Sequence, residues 1–147
     1  MSEKKNQTFE MSVLVRESLI DSFGHMNNSK YLELFEEARW DIINGRGFSV
    51  HEIMKNGLGP VVLEVNMRFT KEIRLRETIR IVSEVEASAS KGKTMTMKQV
   101  MLNEKGDACC TAMFVFGLFD LKARKLVSPT PEWSRAIGVS TAASTIT

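Results

Sequence analysis

At 147 residues the chain has the size of one domain and can bury a sizeable core. Apolar residues make up 43% and charged residues 26% of it, the balance of an ordinary globular protein. A net charge of +2 without an arginine-rich run argues against nucleic acid, and no apolar stretch is long enough to span a bilayer.

Residues 1–7 are polar and charged and are expected to be mobile. They lack the apolar core of a secretory signal, so a cytoplasmic chain is expected. From Thr8, Phe9, Met11 and Val13 alternate with Glu10 and Ser12, the period of a strand with one buried face. Next comes Ile20 to Asp41, reading I-D-S-F-G-H-M-N-N-S-K-Y-L-E-L-F-E-E-A-R-W-D. Its first part is a polar loop. From there Tyr31, Leu34, Phe35, Ala38 and Ile42 recur at steps of three or four, which predicts a helix to about Asn44. Asn28 or Ser29 is the expected N-cap, and Gly45 and Gly47 stop the helix.

Phe48 to Asn56 reads as a short helix or turn closed by Gly57 and Gly59. Pro60 opens the run P-V-V-L-E-V-N-M-R-F, whose β-branched content predicts a strand, and the charged 71–76 stretch carries a bend. Thr78 to Ala89 alternates again. So does Thr94 to Leu102, with Met95, Met97, Gln99 and Met101 on one face and a turn around Gly92 before it. Asn103 to Asp107 is a hairpin turn, and Ala108 to Leu121 is apolar on both faces, which places it centrally in the sheet. The prolines of V-S-P-T-P-E-W end the sheet, and the 137–147 tail is expected to be disordered.

One long helix and five strands joined mostly by short turns predict an α+β domain over residues 8–136. Its sheet is mainly antiparallel and wraps about the helix. Cys109 and Cys110 are adjacent in a strand, so alternation points them to opposite faces, as buried small residues and not a bridge. No histidine or cysteine has metal-ligand spacing, and no metal is expected.

The chemistry concentrates in the loop before the helix. Asp21 and His25 lie on it, and it runs into a helix end whose free amides and partial positive charge suit a developing anion. A carboxylate, a histidine and a helix N-terminus within about eight residues form the constellation of a reaction centre. Each residue also has a plainer use. Asp21 suits an Asx turn, His25 can bond neighbouring backbone, and Asn27 and Asn28 suit helix caps. Tyr31 suits core packing, and Glu72, Lys91 and Lys93 suit solvated turns. Met95, Met97 and Met101 on one strand face can line a pliable pocket.

The stretch D-S-F-G-H-M-N-N-S-K-Y-L-E-L-F-E-E-A-R resembles the opening loop and helix of the hotdog-fold acyl-CoA thioesterases, in the 4-hydroxybenzoyl-CoA thioesterase group. Their pattern reads roughly D-x-x-G-H-V-N-N-x-x-Y-x-x-x-F-E-x-A-R. Here it is met by Asp21, Gly24, His25, Asn27, Asn28, Tyr31, Phe35, Glu36, Ala38 and Arg39. The resemblance implies a hotdog fold, an antiparallel sheet of five or slightly more strands around one long helix. It implies hydrolysis of an acyl-CoA thioester, with Asp21 as nucleophile or general base, His25 assisting, and the backbone amide near Asn28 polarising the carbonyl. Asn27 and Tyr31 would lie beside the substrate. Glu72 aligns with a functional glutamate of the similar plant acyl-carrier-protein thioesterases, and Lys91 and Lys93 with basic residues that meet coenzyme A phosphates. No cofactor is implied beyond the coenzyme A of the substrate. The family pairs its chains, so a homodimer or a homotetramer built as a dimer of dimers is implied, with the site at the interface. Two other readings stay open: a hotdog enoyl-CoA hydratase or dehydratase, and an acyl-CoA-binding module without catalysis.

Overall fold

Strand β1, Thr8–Leu14, leads through a short 3-10 turn at Glu17–Leu19 to the long helix α1, Asn28–Asn44. The computed structural model describes residues 5–86 and 92–140. Helix α2, Val50–Asn56, precedes strands β2 (Leu58–Phe69), β3 (Thr78–Val85), β4 (Thr94–Leu102) and β5 (Ala108–Asp120). A short strand β6, Lys125–Val127, and helix α3, Pro131–Ala136, follow. Every pairing is antiparallel, in the order β1-β3-β4-β5-β2, with β6 taking the end of β5 beyond the reach of β4. One long helix lies in the curve of this sheet, the hotdog arrangement.

Helix α1 buries Tyr31, Leu34, Phe35, Ala38, Ile42 and Ile43 against the sheet, the face that the three-and-four spacing predicts. Phe35 meets Phe114 of β5 edge to face at 5.9 Å. The core has two parts. One gathers around Phe35, Ile79, Ile81 and Met101 near the start of α1, and the other around Ile42, Phe116, Leu118 and Trp133 near its end. Between them Gln99 is fully buried. Its Nε2 donates to the Phe35 carbonyl at 3.1 Å and to Ser83 Oγ at 3.0 Å, and its Oε1 accepts from Arg39 Nη1 at 2.9 Å. A buried amide is tolerated there because every part of it is bonded.

Several expectations change in detail. The N-cap of α1 is Asn27, one residue earlier than the expected Asn28 or Ser29, because its side chain accepts from the Ser29 amide at 2.9 Å. Gly45 ends the helix with φ −94°, so of the two glycines expected to stop it Gly47 alone has a positive φ, at 99°. Cys109 and Cys110 do not divide between two faces. The register slips between Met101 and Leu102, Cys109 is the extra residue, and both thiols enter one core cluster. The prolines near the end open α3, which the sequence reading did not include. Thr130 Oγ1 accepts from the Trp133 amide at 3.1 Å and Pro131 takes the first helical position.

Polar bonds tie the two ends of the described chain beyond the 8–136 span. Asn6 is buried, with Nδ2 donating to the Val85 carbonyl at 2.8 Å and Oδ1 accepting from the Ser140 amide at 2.9 Å. Residues 1–4, most of the turn expected before Gly92, and the tail after Ser140 lie outside the described residues. Among the described residues, no helix is long and apolar enough to cross a membrane.

Candidate active site

The loop from Ile20 to Met26 closes on itself as a small hairpin. Ile20 and Met26 form an antiparallel bridge, the Asp21 amide donates to the His25 carbonyl at 2.8 Å, and Gly24 turns the chain with φ 85°. A positive φ costs glycine nothing, so the tight turn is possible at that position. Met26 is 3% exposed and plugs the hairpin into the core, while Phe23 at the tip is 84% exposed.

Asp21 sits at the base of this turn. Its Oδ1 accepts from the Phe23 amide at 2.9 Å and from the His25 amide at 3.3 Å. Both bonds fall on one oxygen, and Oδ2 has no bond within the described residues. The residue therefore shapes an Asx turn, the plainer of its two uses, and still presents a carboxylate oxygen outward.

Seven residues after Asp21, α1 begins. The Asn27 side chain accepts from both the amide and the hydroxyl of Ser29, each at 2.9 Å, and the Asn27 carbonyl accepts from the Lys30 amide at 2.9 Å. The first helical amide, that of Asn28, has no acceptor among the described residues, and Asn28 is exposed. A free N–H at the positive end of a helix dipole suits an oxygen that gains negative charge.

His25 reaches across to the 70–77 loop. Its Nε2 lies 2.7 Å from Glu72 Oε2, with both side chains about half exposed. Glu72 Oε1 also accepts from Arg74 Nε at 3.0 Å. The loop holds Glu72 in place because Ile73 is fully buried between the two outward charges. At its start, Lys71 pairs with Asp107 at 2.8 Å. With Nε2 turned to Glu72, Nδ1 is the ring nitrogen left for water or substrate.

Tyr31, one turn into α1, is 4% exposed and packs edge to face on Phe69 at 4.9 Å. Burial, aided by the nearby cysteines and Glu72, pushes its hydroxyl up to about 12. Asp21, His25, Asn27, Asn28, Tyr31 and Glu72 thus share one end of the molecule. Lys93 does not join them. It lies beside Leu126, with Nζ 3.5 Å from that carbonyl, at the end of β4 where Thr94 faces Gly117. Phe69, which marks the Tyr31 end, faces Cys110, so the two places lie about 23 Å apart along β5 at about 3.3 Å per residue. Lys91 lies outside the described residues. Among the described residues, no group of three or more histidines, cysteines or carboxylates is placed to hold a metal ion.

Arg39 carries more than the sequence reading drew from it. Its guanidinium lies 4.1 Å above the Phe114 ring as well as bonding Gln99, and burial pulls its pKa below the ordinary arginine value. Its place in the F-E-E-A-R run was visible, but a bond to a buried glutamine on β4 leaves no local signal.

A model of the thioesterase-like superfamily matches residues 15–137 of this chain. The long-chain acyl-CoA thioesterase FadM of Escherichia coli strain K12 is 28% identical over 120 residues, which is 81% of this chain and 89% of that protein. Among solved structures, YbaW, a probable thioesterase from Escherichia coli, superposes with a TM-score of 0.75 at 27% identity, over 88% of this chain and 96% of that one. The Staphylococcus aureus protein SAV2348, solved in complex with CoA, shares the fold with a TM-score of 0.81 at 16% identity, over 96% of this chain and 91% of that one.

Proposed function

The chain belongs to the thioesterase-like superfamily, and we propose that it hydrolyses acyl-CoA thioesters to the free acid and coenzyme A. The observation that carries this reading is the Asp21 carboxylate. One oxygen is fixed by two backbone amides and the other is free, on a loop that ends at the unpaired amide of Asn28. A thioester needs a positioned carboxylate and an oxyanion donor, the roles this reading gives to Asp21 and the Asn28 amide.

In this mechanism the thioester carbonyl oxygen takes the Asn28 N–H. Asp21 Oδ2 either attacks the carbonyl carbon or removes a proton from the water that does. The tetrahedral oxyanion is stabilised at the helix end, and its collapse breaks the C–S bond and releases the coenzyme A thiolate. After direct attack, water then hydrolyses the acyl anhydride on Asp21 to the free acid. In the general-base route the acid forms directly, and the proton taken by Asp21 passes to the thiolate. His25, oriented by Glu72, holds the water or the substrate in line.

The working unit is a pair of chains. Among the described residues, strand β2 leaves one edge of the sheet without a partner along Leu58–Phe69, and Leu63, Val65 and Phe69 on it are about half exposed. A long apolar edge needs a cover. Antiparallel pairing of two such edges about a two-fold axis sets the partner's Leu58 beside this protomer's Phe69. That brings the end of the molecule bearing the partner's Lys93 toward the Asp21 loop, where coenzyme A phosphates would lie.

Incubation with acyl-CoAs of short, medium, long and aromatic acyl groups tests the reaction. Free thiol and free acid should appear in equal amounts for at least one class. Addition of water to an enoyl-CoA without thiol release would replace this reading by a hydratase.

A further inference from the structure

We infer that, given hydrolysis at Asp21 and pairing of two chains through β2, Phe23 at the tip of the Asp21 hairpin docks on the partner's helix α2. It meets the face formed by the partner's Val50 and the partner's Met54. The second chain thereby holds the turn that carries the carboxylate.

Among the described residues, the three most exposed large apolar side chains are Phe23 at 84%, Met54 at 73% and Val50 at 61%. One exposed apolar side chain is ordinary, but these three stand on stiff supports. The Phe23 amide donates to Asp21 Oδ1 at 2.9 Å, and the Asp21 amide to the His25 carbonyl at 2.8 Å. Val50 and Met54 lie at i and i+4, on one face of α2. Ser49 and Glu52 cap that helix reciprocally. A Cβ on Gly59 would meet Ile53 Cγ2 at 2.7 Å, so the bare glycine lets α2 lie against the start of β2.

The two-fold pairing of β2 edges brings these patches together. It sets the partner's Leu58 beside Phe69. Glu72 follows Phe69 by three residues and touches His25 at 2.7 Å, and Phe23 is two residues from His25. In the partner, Met54 stands in the last turn of α2, four residues before Leu58. Both patches lie on the α1 side of the sheet, where Tyr31 meets Phe69 and Ile53 joins the core cluster of Ile42. Within one chain they cannot meet, because the ends of the 12-residue strand β2 are about 36 Å apart at about 3.3 Å per residue. Phe23 acts through its own amide, one of the two that fix Asp21 Oδ1, so it is a positioning residue for the free oxygen.

Cysteine pairs read the contact without any catalysis. Phe23→Cys is combined in one chain with Met54→Cys or with Val50→Cys, and each protein is oxidised and run unreduced under denaturing conditions. At least one pair should give a covalent dimer. Neither the single variants nor the native protein should, since equivalent positions lie far apart across the two-fold axis and Cys109 and Cys110 are buried. Adding Leu63→Lys on the β2 edge should abolish the link. Phe23→Ala should lower kcat about tenfold with KM unchanged, and Phe23→Leu, which keeps an apolar contact, should restore most of it. A folded dimer in which neither pair links would overturn the inference and leave both patches to another partner, a lipid surface included. So would a link that survives Leu63→Lys, a native protein that elutes as a monomer, or native kcat in Phe23→Ala. Linking in a protein that hydrolyses no acyl-CoA keeps the contact and removes the thioesterase reading. Hydrolysis by a dimer that does not link does the reverse.

Discussion

Asp21 gives one carboxylate oxygen to the turn of its own loop and keeps the other, so asparagine at this position separates structure from chemistry. The amide oxygen of asparagine can still accept from the Phe23 and His25 amides, and only the outward anionic oxygen is lost. The His25–Glu72 contact separates in the same way. Glu72→Gln keeps the size of the side chain and removes the charge 2.7 Å from the imidazole. It should lower kcat about tenfold, less than the roughly 10²-fold or more of a lost general base because Glu72 acts only through His25, and change the pH profile of kcat. A loop that Glu72 merely props would leave that profile unchanged. The residues of 21–28 could be read from the sequence because they are contiguous and their order alone sets them on a loop and a helix start. Glu72 was reachable only through the family resemblance. A contact between two loops this far apart in the chain leaves no periodic trace.

At the scale of elements, the start of α1 fixes the Asn28 amide, to which the proposed mechanism gives the oxyanion. Asn27→Ala removes the acceptor for Ser29 and should cost about 1 kcal/mol in thermal or denaturant unfolding. Gln99→Leu should cost about 2 kcal/mol in the same assay, since Ser83, Arg39 and the Phe35 carbonyl would each lose a partner away from water. Most elements were legible. The alternation of β1, β3 and β4 and the three-and-four spacing of α1 each bury one face, and burial is what such periods record. Helix α3 was missed although Thr130 and Pro131 carry a helix-start signal, because prolines after a strand read first as its end. Cys109 was misplaced because a bulge breaks the alternation that assigns faces, and only the pairing partner β4 reveals it.

For the whole molecule, pH and assembly give the remaining tests. Asp107 is held below the ordinary carboxylate range by its bond to Lys71, and Asp120 by the Ala123 and Lys122 amides. A carboxylate whose folded pKa is lowered stabilises the fold above its unfolded value, about 3.9, and that stability is lost as pH falls through the folded value. Melting temperature should therefore hold from neutral pH to about 5 and fall below about 4. Charge on the open edge tests the pairing. Leu63→Lys places an ammonium on a half-exposed position of β2, so the protein should elute as a monomer and lose activity together with its partner. An active monomer would contradict the site at the interface.

Thiol release from a panel of acyl-CoAs by the native protein and by Asp21→Asn, at matched melting temperature, tests the central claim most directly. The account predicts turnover of at least one acyl class by the native protein and a loss of about 10²-fold or more in kcat for the variant. A variant as active as the native protein, or a native protein that binds acyl-CoA and releases no thiol, would contradict it.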